Sequence, residues 1–336
     1  MVTLKNIALK LNVSVGTVSK ALRNSSEISE DLKQVVLACA KEMGYVANSS
    51  ARSLKTNKSY NIGIVYEDKT SAGLGHDYFS IMLNSIRNEL QANGFDFTFI
   101  TTSIGEEDIS YLNHAKYRNC DGVIIVTADF ENKSIIDLVQ SDIPVVTIDH
   151  VFENTSAILS DNEDGLASIV QYLYKKGHRK IAFIHGEDTE VTRLRLQAFD
   201  DTCKLLGIQK EKRYIKEAVY HLPQQAGQRT REILNLEDKP TCIIFPDDYS
   251  YMGGATEIDK HNLTVPDDIS VVGYDGIFLS RILRPILTTY KQNSELIGET
   301  AVQTLLAEIK ETYTSGKTII KIKGHLQEGQ TVKDIK

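Results

Sequence analysis

From Tyr60 onward the chain alternates short apolar runs with amphipathic stretches, and this alternation leaves few folds open. Asn61–Tyr66, Phe95–Thr101, Cys120–Val126 and Ile143–Asp149 read as one set of strands. Lys180–His185, Cys242–Phe245 and Ile269–Tyr274 read as a second set. Between them the 3.6-residue period predicts helices over 81–93, 163–176, 190–206 and 249–260. Short, nearly continuous apolar strands separated by helices imply parallel sheets covered on both faces. Two such sets predict an α/β body of two doubly wound parallel-sheet lobes. Ligands bind such sheets beyond the carboxyl ends of the strands, so two facing lobes predict a cleft that closes by a hinge.

The first 45 residues follow a different rule. Leu4, Ile7, Ala8 and Leu11 share one helical face, and Thr3 stands at the N-cap position. Asn12-Val13-Ser14 breaks the pattern. A second helix starts at Val15 with Ser14 as its cap and Val18, Ala21 and Leu22 inside. Two short helices with a three-residue turn form a helix-turn-helix, whose second helix enters the DNA major groove. A third helix is predicted with Ser29 as cap, a stripe of Leu32, Val35, Val36, Cys39, Ala40 and Met43, and Gly44 just past its end. This all-α module has a core small enough to depend on DNA or a partner subunit.

Charge supports the division. The net charge of −7 argues against a nucleic-acid binder until it is split. Residues 1–60 hold nine Lys/Arg against four Asp/Glu, a net +5, and the remainder holds 29 against 41, a net −12. A basic module suits phosphate contacts, and an acidic body is repelled by DNA. The four cysteines, Cys39, Cys120, Cys203 and Cys242, form no C-x-x-C pair. No metal site, disulfide framework or cofactor is expected from them, and reduced thiols place the chain in the cytoplasm. No secretory signal or membrane-spanning run is visible.

The segment Leu4–Asn24 with its Val-Ser-x-x-Thr-Val-Ser core resembles the lactose-repressor (LacI/GalR) family of bacterial transcription regulators. So do Gly-Tyr-x-x-Asn at 44–48, Ala-Arg-Ser-Leu at 51–54, Ser160–Gly165, Lys176–Ala182, Val265–Asp275 and Leu287–Tyr290. The likeness covers almost the whole chain. It implies a helix-turn-helix domain over 1–47, a hinge helix and linker over 48–58, a first lobe over 59–160 and 289–320, and a second over 161–288 and 321–336. The body is then similar to periplasmic sugar-binding proteins. A hinge helix of about eight residues is too short to persist alone and is expected to order on DNA beside its dimer mate. Asn48 lies near its start. Leu54 matches a family leucine wedged between base steps in the minor groove; the other reading packs it on the body. Val15, Gly16 and Lys20 occupy base-reading positions. Val15 suits a thymine methyl, and Lys20 suits guanine acceptors or a phosphate. Gly16 reads nothing by side chain and lets the backbone approach. Thr17 and Ser19 suit phosphates. Thr3, Ser14, Asn24 and Ala51 complete the expected DNA contacts.

In the body, Arg195 matches the family's effector-binding arginine, whose fork can hold two hydroxyls or a carboxylate. Asp275 ends a strand, the place for an acceptor of sugar hydroxyl protons. Asp149 and Asp247 also end strands; each is an effector ligand or a cap on the next helix. Tyr220 and Phe79 either stack on a pyranose ring or belong to the core. His76 and Asp77 fall in a loop longer than the family's, where they either line the cleft or, as expected, stand in a solvated loop.

These residues support a homodimeric repressor of carbohydrate-utilisation genes that binds a palindromic operator and is released by a small sugar. A heptad tail for tetramers is not visible. The alternative keeps the DNA binding and replaces the sugar by a purine-like corepressor or a phosphorylated carrier protein. An enzyme is not expected, since G-x-G-x-x-G, P-loop, G-x-S-x-G and H-E-x-x-H motifs are all missing.

Overall fold

The computed structural model describes residues 2–45, 58–67, 73–310 and 317–336. The chain divides into two compact units, Met1–Ser59 and Tyr60–Lys336. The expected hinge residues Asn48, Ala51 and Leu54 lie outside the described residues.

The first unit holds α1 (Leu4–Leu11), α2 (Val15–Leu22) and α3 (Glu30–Glu42). Thr3 caps α1 through a reciprocal box. Its hydroxyl accepts from the Asn6 N–H at 3.4 Å, and the Asn6 side chain accepts from the Thr3 N–H at 2.9 Å. Asn12 ends the helix in the left-handed region at φ 52°. Ser14 accepts from the Thr17 N–H at 2.9 Å and starts α2. Gly44, at φ 65°, closes α3: its N–H donates to the Lys41 carbonyl, and the Tyr45 N–H donates to that of Ala40. Ile7, Ala8, Val18, Ala21, Val36, Cys39 and Ala40 form the core. Two expectations fail here. Ser29 stands at the N-cap position of α3 but makes no capping bond with its side chain. Val35 is 50% exposed because the buried stripe of α3 runs through Val36 and Ala40 instead.

The second unit is the two-lobed α/β body. In the first lobe, β1 (Asn61–Tyr66), β2 (Asp96–Ile100), β3 (Gly122–Thr127), β4 (Val145–Ile148) and β5 (Ser156–Ser160) are joined by a late strand, β11 (Ile319–Ile322). Their order across the sheet is β11-β5-β4-β3-β1-β2, all parallel. Strand β3 shows why both faces are apolar. Ile124 and Val126 join Met82 and Ile86 of α4 (Asp77–Ala92) and Ala301 and Leu305 of α12 (Ser294–Ile309) on one side. Val123 and Ile125 join Tyr111 of α5 (Tyr111–Tyr117) and Leu138 of α6 (Lys133–Val139) on the other.

The second sheet repeats the plan with β6 (Ile181–His185), β7 (Ile215–Glu217), β8 (Cys242–Ile244), β9 (Ser270–Asp275), β10 (Thr289–Lys291) and β12 (His325–Gln327). The order is β12-β10-β9-β8-β6-β7, and only β12 runs antiparallel among these pairs. Helices α7 (Asn162–Lys175) and α8 (Glu190–Leu205) cover one face, with α9 (Pro223–Leu234) and α10 (Asp248–Lys260) on the other. A short α11 (Phe278–Ile282) follows β9.

The chain crosses between lobes three times: between β5 and α7, between β10 and α12, and between β11 and β12. The sheet pairing corrects two expected boundaries. Residues 289–291 pair with 273–275 in the second sheet, so the return begins after Lys291 and not at residue 289. Residues 321–322 pair with 159–160 in the first sheet, so the last crossing follows Ile322. Helix α4 begins at Asp77, earlier than its apolar period indicates, and this removes His76 and Asp77 from the expected solvated loop.

Helices α9 and α10 approach closely because Gly227 and Gly253 face each other. A β-carbon at Gly253 would stand 1.7 Å from the Pro223 carbonyl oxygen, and one at Gly227 would stand 2.9 Å from that of Gly253. Both obstacles are backbone, so the helices must separate to admit a methyl group. Gly253→Ala is therefore expected to destabilise the body by about 1–3 kcal/mol. Urea unfolding of the full chain checks this, and an unchanged midpoint would mean the helices do not meet there.

Candidate functional site

Two surfaces carry the candidate chemistry. On the first unit, the N-terminal turn of α2 is open. Val15 is 44% exposed. A β-carbon at Gly16 would meet only Ser14 Oγ, at an ordinary 3.5 Å. Nothing inside the unit thus requires glycine at that position. The hydroxyls of Thr3, Ser14 and Thr17 sit at the starts of α1 and α2: Ser14 Oγ lies 2.8 Å from Thr17 Oγ1. Ser19 is half-buried, and its carbonyl accepts from Arg23 Nε at 2.9 Å. Asn24 is exposed in the left-handed region at φ 54°. Lys20 pairs with Glu27 across the surface and holds that carboxyl below its ordinary range. An exposed pair of this kind is weak, so Lys20 can exchange it for an external anion.

The second surface is a cavity of about 230 Å³ between the lobes. Five of the six expected effector residues line it: Phe79 and Asp149 from the first lobe, and Arg195, Tyr220 and Asp275 from the second. Asp247 does not. It caps α10, accepting from the Ser250 N–H and hydroxyl at 2.7 Å each and from the His221 N–H at 2.9 Å. Burial opposes its charge, but His221 facing it holds the carboxyl below its ordinary range. The helix-cap reading of Asp247 is the one the geometry supports.

Arg195 is held in place by three groups of the second lobe. Its Nε donates to Asn162 Oδ1 at 2.8 Å and its Nη1 to the Pro246 carbonyl at 3.0 Å, and the guanidinium lies 3.6 Å from the centre of the Tyr274 ring. Among the described residues no hydrogen bond engages Nη2. Burial works against the charge, yet the oxygens of Tyr220, Tyr274, Asp275 and Asp149 keep the group more basic than usual. Asp149 and Asp275 owe their places to left-handed backbone at the strand ends, φ 54° and 98°. Asp149 accepts from the Ser160 N–H at 2.7 Å and the Tyr78 hydroxyl at 3.2 Å, and burial raises its pKa. Asp275 Oδ1 accepts from Gln292 Nε2 at 2.6 Å. Its Oδ2 is buried with no hydrogen-bond partner among the described residues. Burial, with neighbouring Asp247, raises the Asp275 pKa to about 6. Tyr220 is fixed by Thr192 Oγ1 at 2.9 Å and by its N–H donating to Glu187.

Several site residues escaped the sequence reading. Asn162, which holds Arg195, lies within the Ser160–Gly165 motif, the lining residue Gln292 follows Leu287–Tyr290, and His221 follows Tyr220, so proximity in sequence was the available signal. Tyr78 precedes Phe79 in the same way, while Glu187 and Glu190 carry no such signal. His76 stands at the N-cap position of α4, is 2% exposed and sits with its Nε2 2.7 Å from His221 Nδ1. The cavity can therefore present one cation, several hydroxyl acceptors and the aromatic faces of Phe79 and Tyr220 to a small polar molecule.

Comparison with known proteins finds a match in each part of the chain. Residues 3–48 match the model for bacterial regulatory proteins of the lacI family, and residues 170–332 match a periplasmic binding protein-like domain. Over 325 residues, 96% of each chain, the protein is 30% identical to the probable HTH-type transcriptional repressor ExuR of Bacillus subtilis (strain 168). It is 28% identical to the HTH-type transcriptional repressor PurR of Mannheimia succiniciproducens, covering 95% of each. It matches the lac repressor dimer bound to operator and the anti-inducer ONPF with a TM-score of 0.85 and 26% identity, covering 99% of both chains.

The raised pKa of Asp275 fixes a sign. Below about pH 4 the carboxyl is protonated in both folded and unfolded chains and contributes nothing. Between about 4 and 6 the folded state keeps a proton that the unfolded state releases, so stability falls as pH rises. Above about 6 the penalty is complete, on the order of 2–3 kcal/mol. Asp275→Asn is thus expected to raise the melting temperature at pH 7.5 and to leave it nearly unchanged at pH 4. Thermal unfolding at the two pH values checks this, and a loss of stability at pH 7.5 would contradict it.

Proposed function

The chain belongs to the lacI family of bacterial regulatory proteins, and from that premise we propose that it is a homodimeric repressor released from a palindromic operator by a small neutral sugar. It is a DNA-binding transcriptional regulator. The observation that carries the sugar reading is Arg195, a guanidinium buried at the cavity wall and surrounded by carboxylate and aromatic side chains from both lobes. One fixed cation among Asp149, Asp275, Glu187 and Glu190 suits a molecule that both donates and accepts hydrogen bonds and has no negative charge of its own. A sugar meets that description. Its hydroxyls donate to Asp149 and Asp275 and accept from Arg195, while Phe79 or Tyr220 covers an apolar ring face.

Both lobes contribute to the cavity, so a ligand there has different affinity for open and closed arrangements and shifts the population between them. That shift reaches DNA through the hinge and linker at residues 48–58, where Asn48, Ala51 and Leu54 are assigned the hinge and minor-groove contacts. Val15, Gly16 and Lys20 on α2 read the major groove, and Thr3, Ser14, Thr17, Ser19 and Asn24 hold the phosphates. Since Gly16 offers no side chain, much of the selectivity rests on half-site spacing and on the hinge. The aromatic wall of Tyr78, Phe79, Phe130 and Tyr220 also favours a second reading, a purine-like corepressor.

Footprinting on a palindromic half-site library tests the DNA reading. Full protection is expected from the native chain. Sequence-specific protection is expected to disappear in Leu54→Ala, and discrimination between half-sites is expected to weaken by about 1–3 kcal/mol in Lys20→Ala. Uniform protection of every sequence by the native chain would sink it. Calorimetric titration with a panel of sugars and purines tests the ligand. Arg195→Lys keeps the charge and loses the fork, and it is expected to weaken the binding sugar by roughly 1.5–3 kcal/mol. Heat from a purine and none from any sugar would replace the sugar reading with its alternative.

A further inference from the structure

At the seam between the lobes, His76, His221 and Asp275 each offer one ligand atom, and the three atoms lie within 4.8 Å of one another. The sequence placed no two of them in a metal-binding pattern, since they are separated by 145 and 54 positions and converge only when the lobes face each other. His76 comes from the first lobe at the start of α4. His221 comes from the second lobe after β7, in left-handed backbone at φ 59°. Asp275 ends β9.

Three features of this cluster ask for a cation. Asp275 Oδ2 is buried without a hydrogen-bond partner among the described residues, and a buried carboxylate oxygen left bare is costly. Its sister oxygen is held by Gln292 Nε2 at 2.6 Å, the outer-shell support that orients a carboxylate ligand. His76 Nε2 and His221 Nδ1 stand 2.7 Å apart in a T-shaped ring contact, the two nitrogens facing each other. The geometry points to a divalent transition-metal site built from His76 Nε2, His221 Nδ1 and Asp275 Oδ2, bridging the two lobes. Two imidazoles and a carboxylate are the donor set of a borderline cation such as Zn²⁺, with a fourth position left open.

The rearrangement needed is small. Zinc–nitrogen bonds of about 2.0–2.1 Å in tetrahedral geometry place two nitrogens roughly 3.3 Å apart. The imidazoles separate by about that difference. The proton between them shifts to the outer nitrogen of the donor ring, so that each nitrogen presents a lone pair. Asp247, whose Oδ1 lies 3.6 Å from His221 Nδ1, adds a second carboxylate near the dication. The rings of Phe79 and Tyr249, centred 5.4 and 4.8 Å from His76, shield the site. His221 and Asp275 also line the effector cavity, so the open position belongs to water or to a ligand hydroxyl. A metal here fastens one lobe to the other. The site shares Asp275 with the proposed sugar contacts but stands on its own donors.

The test uses the full chain, stripped with a chelator and titrated with Zn²⁺ by calorimetry, with Co²⁺ absorption as the spectroscopic readout. One zinc per chain is expected, with visible cobalt bands of low coordination number. His76→Gln and Asp275→Asn are each expected to weaken zinc by at least the roughly tenfold that even an outer-shell change causes. Circular dichroism shows whether each variant folds; if His76→Gln does not, Asp275→Asn carries the comparison. Absence of saturable zinc binding overturns the site. So does binding that both variants leave unchanged, which would place the ion elsewhere on the surface. Operator footprinting on the same samples keeps the two readings apart. Operator binding without zinc binding removes the metal site alone, and zinc binding without operator binding removes the regulator reading alone.

Discussion

Burying the guanidinium of Arg195 constrains the whole second lobe. A charge taken out of water must be met on every side. Asn162 at the start of α7, the Pro246 carbonyl after β8 and the Tyr274 ring in β9 meet it. Each belongs to a different strand end, so the arginine specifies how those ends converge. The same demand dictates where side chains are forbidden. A β-carbon at Gly165 would stand 2.2 Å from the Tyr274 hydroxyl, and one at Gly186 would stand 2.0 Å from the Tyr220 ring. Glycine at both places lets aromatic walls close around the cation. The cavity is then a by-product of satisfying one buried charge at a place where two lobes meet.

The seam itself is polar and apolar in alternation. Asp77 accepts from the Phe278 N–H, Glu190 pairs with His150 at 3.2 Å, and Ser160 bonds Gln292. Ile277 meanwhile packs into the first lobe's core cluster. Few of these contacts are deeply apolar, which suits a boundary that opens and shuts. His221 sits at the centre. Burial alone would favour its neutral form, but Asp247 beside it holds the ring more basic than an ordinary histidine.

Much of this was legible beforehand because it depends on periodicity. Apolar strand runs such as Val123–Val126 and helical stripes such as Ile7, Ala8 and Leu11 follow from local geometry, and the doubly wound lobes follow from their alternation. Strand β5 was missed because Ser156 and Ser160 at its ends dilute its apolar signal. The three-residue strands β7, β10 and β12 mix polar with apolar residues and show no apolar run, unlike the equally short β8. At the site, the strand-end acids Asp149 and Asp275 were readable from position. Asp247 looked identical in sequence and does something else, because Ser250 three residues on gives it a helix to cap. His76 was assigned to a loop because the apolar stripe of α4 emerges only after its first turn. What joins it to His221 is the docking of two lobes, and no local pattern encodes that.

Neither lobe is a continuous length of chain, and this has a consequence for how the protein is made. The first sheet receives its edge strand β11 only near residue 320, and the face bearing Met82 and Ile86 is covered by Ala301 and Leu305 of α12. On the ribosome, strands β1 to β5 emerge long before either arrives. The second lobe's six-stranded sheet likewise waits for β12 at residues 325–327. A nascent chain therefore carries a bare apolar face and an unpaired sheet edge through most of its synthesis, the state in which chaperones hold unfinished domains. Both sheets are completed only by strands at residues 319–327, so the cavity that needs both lobes forms after either sheet has begun to fold.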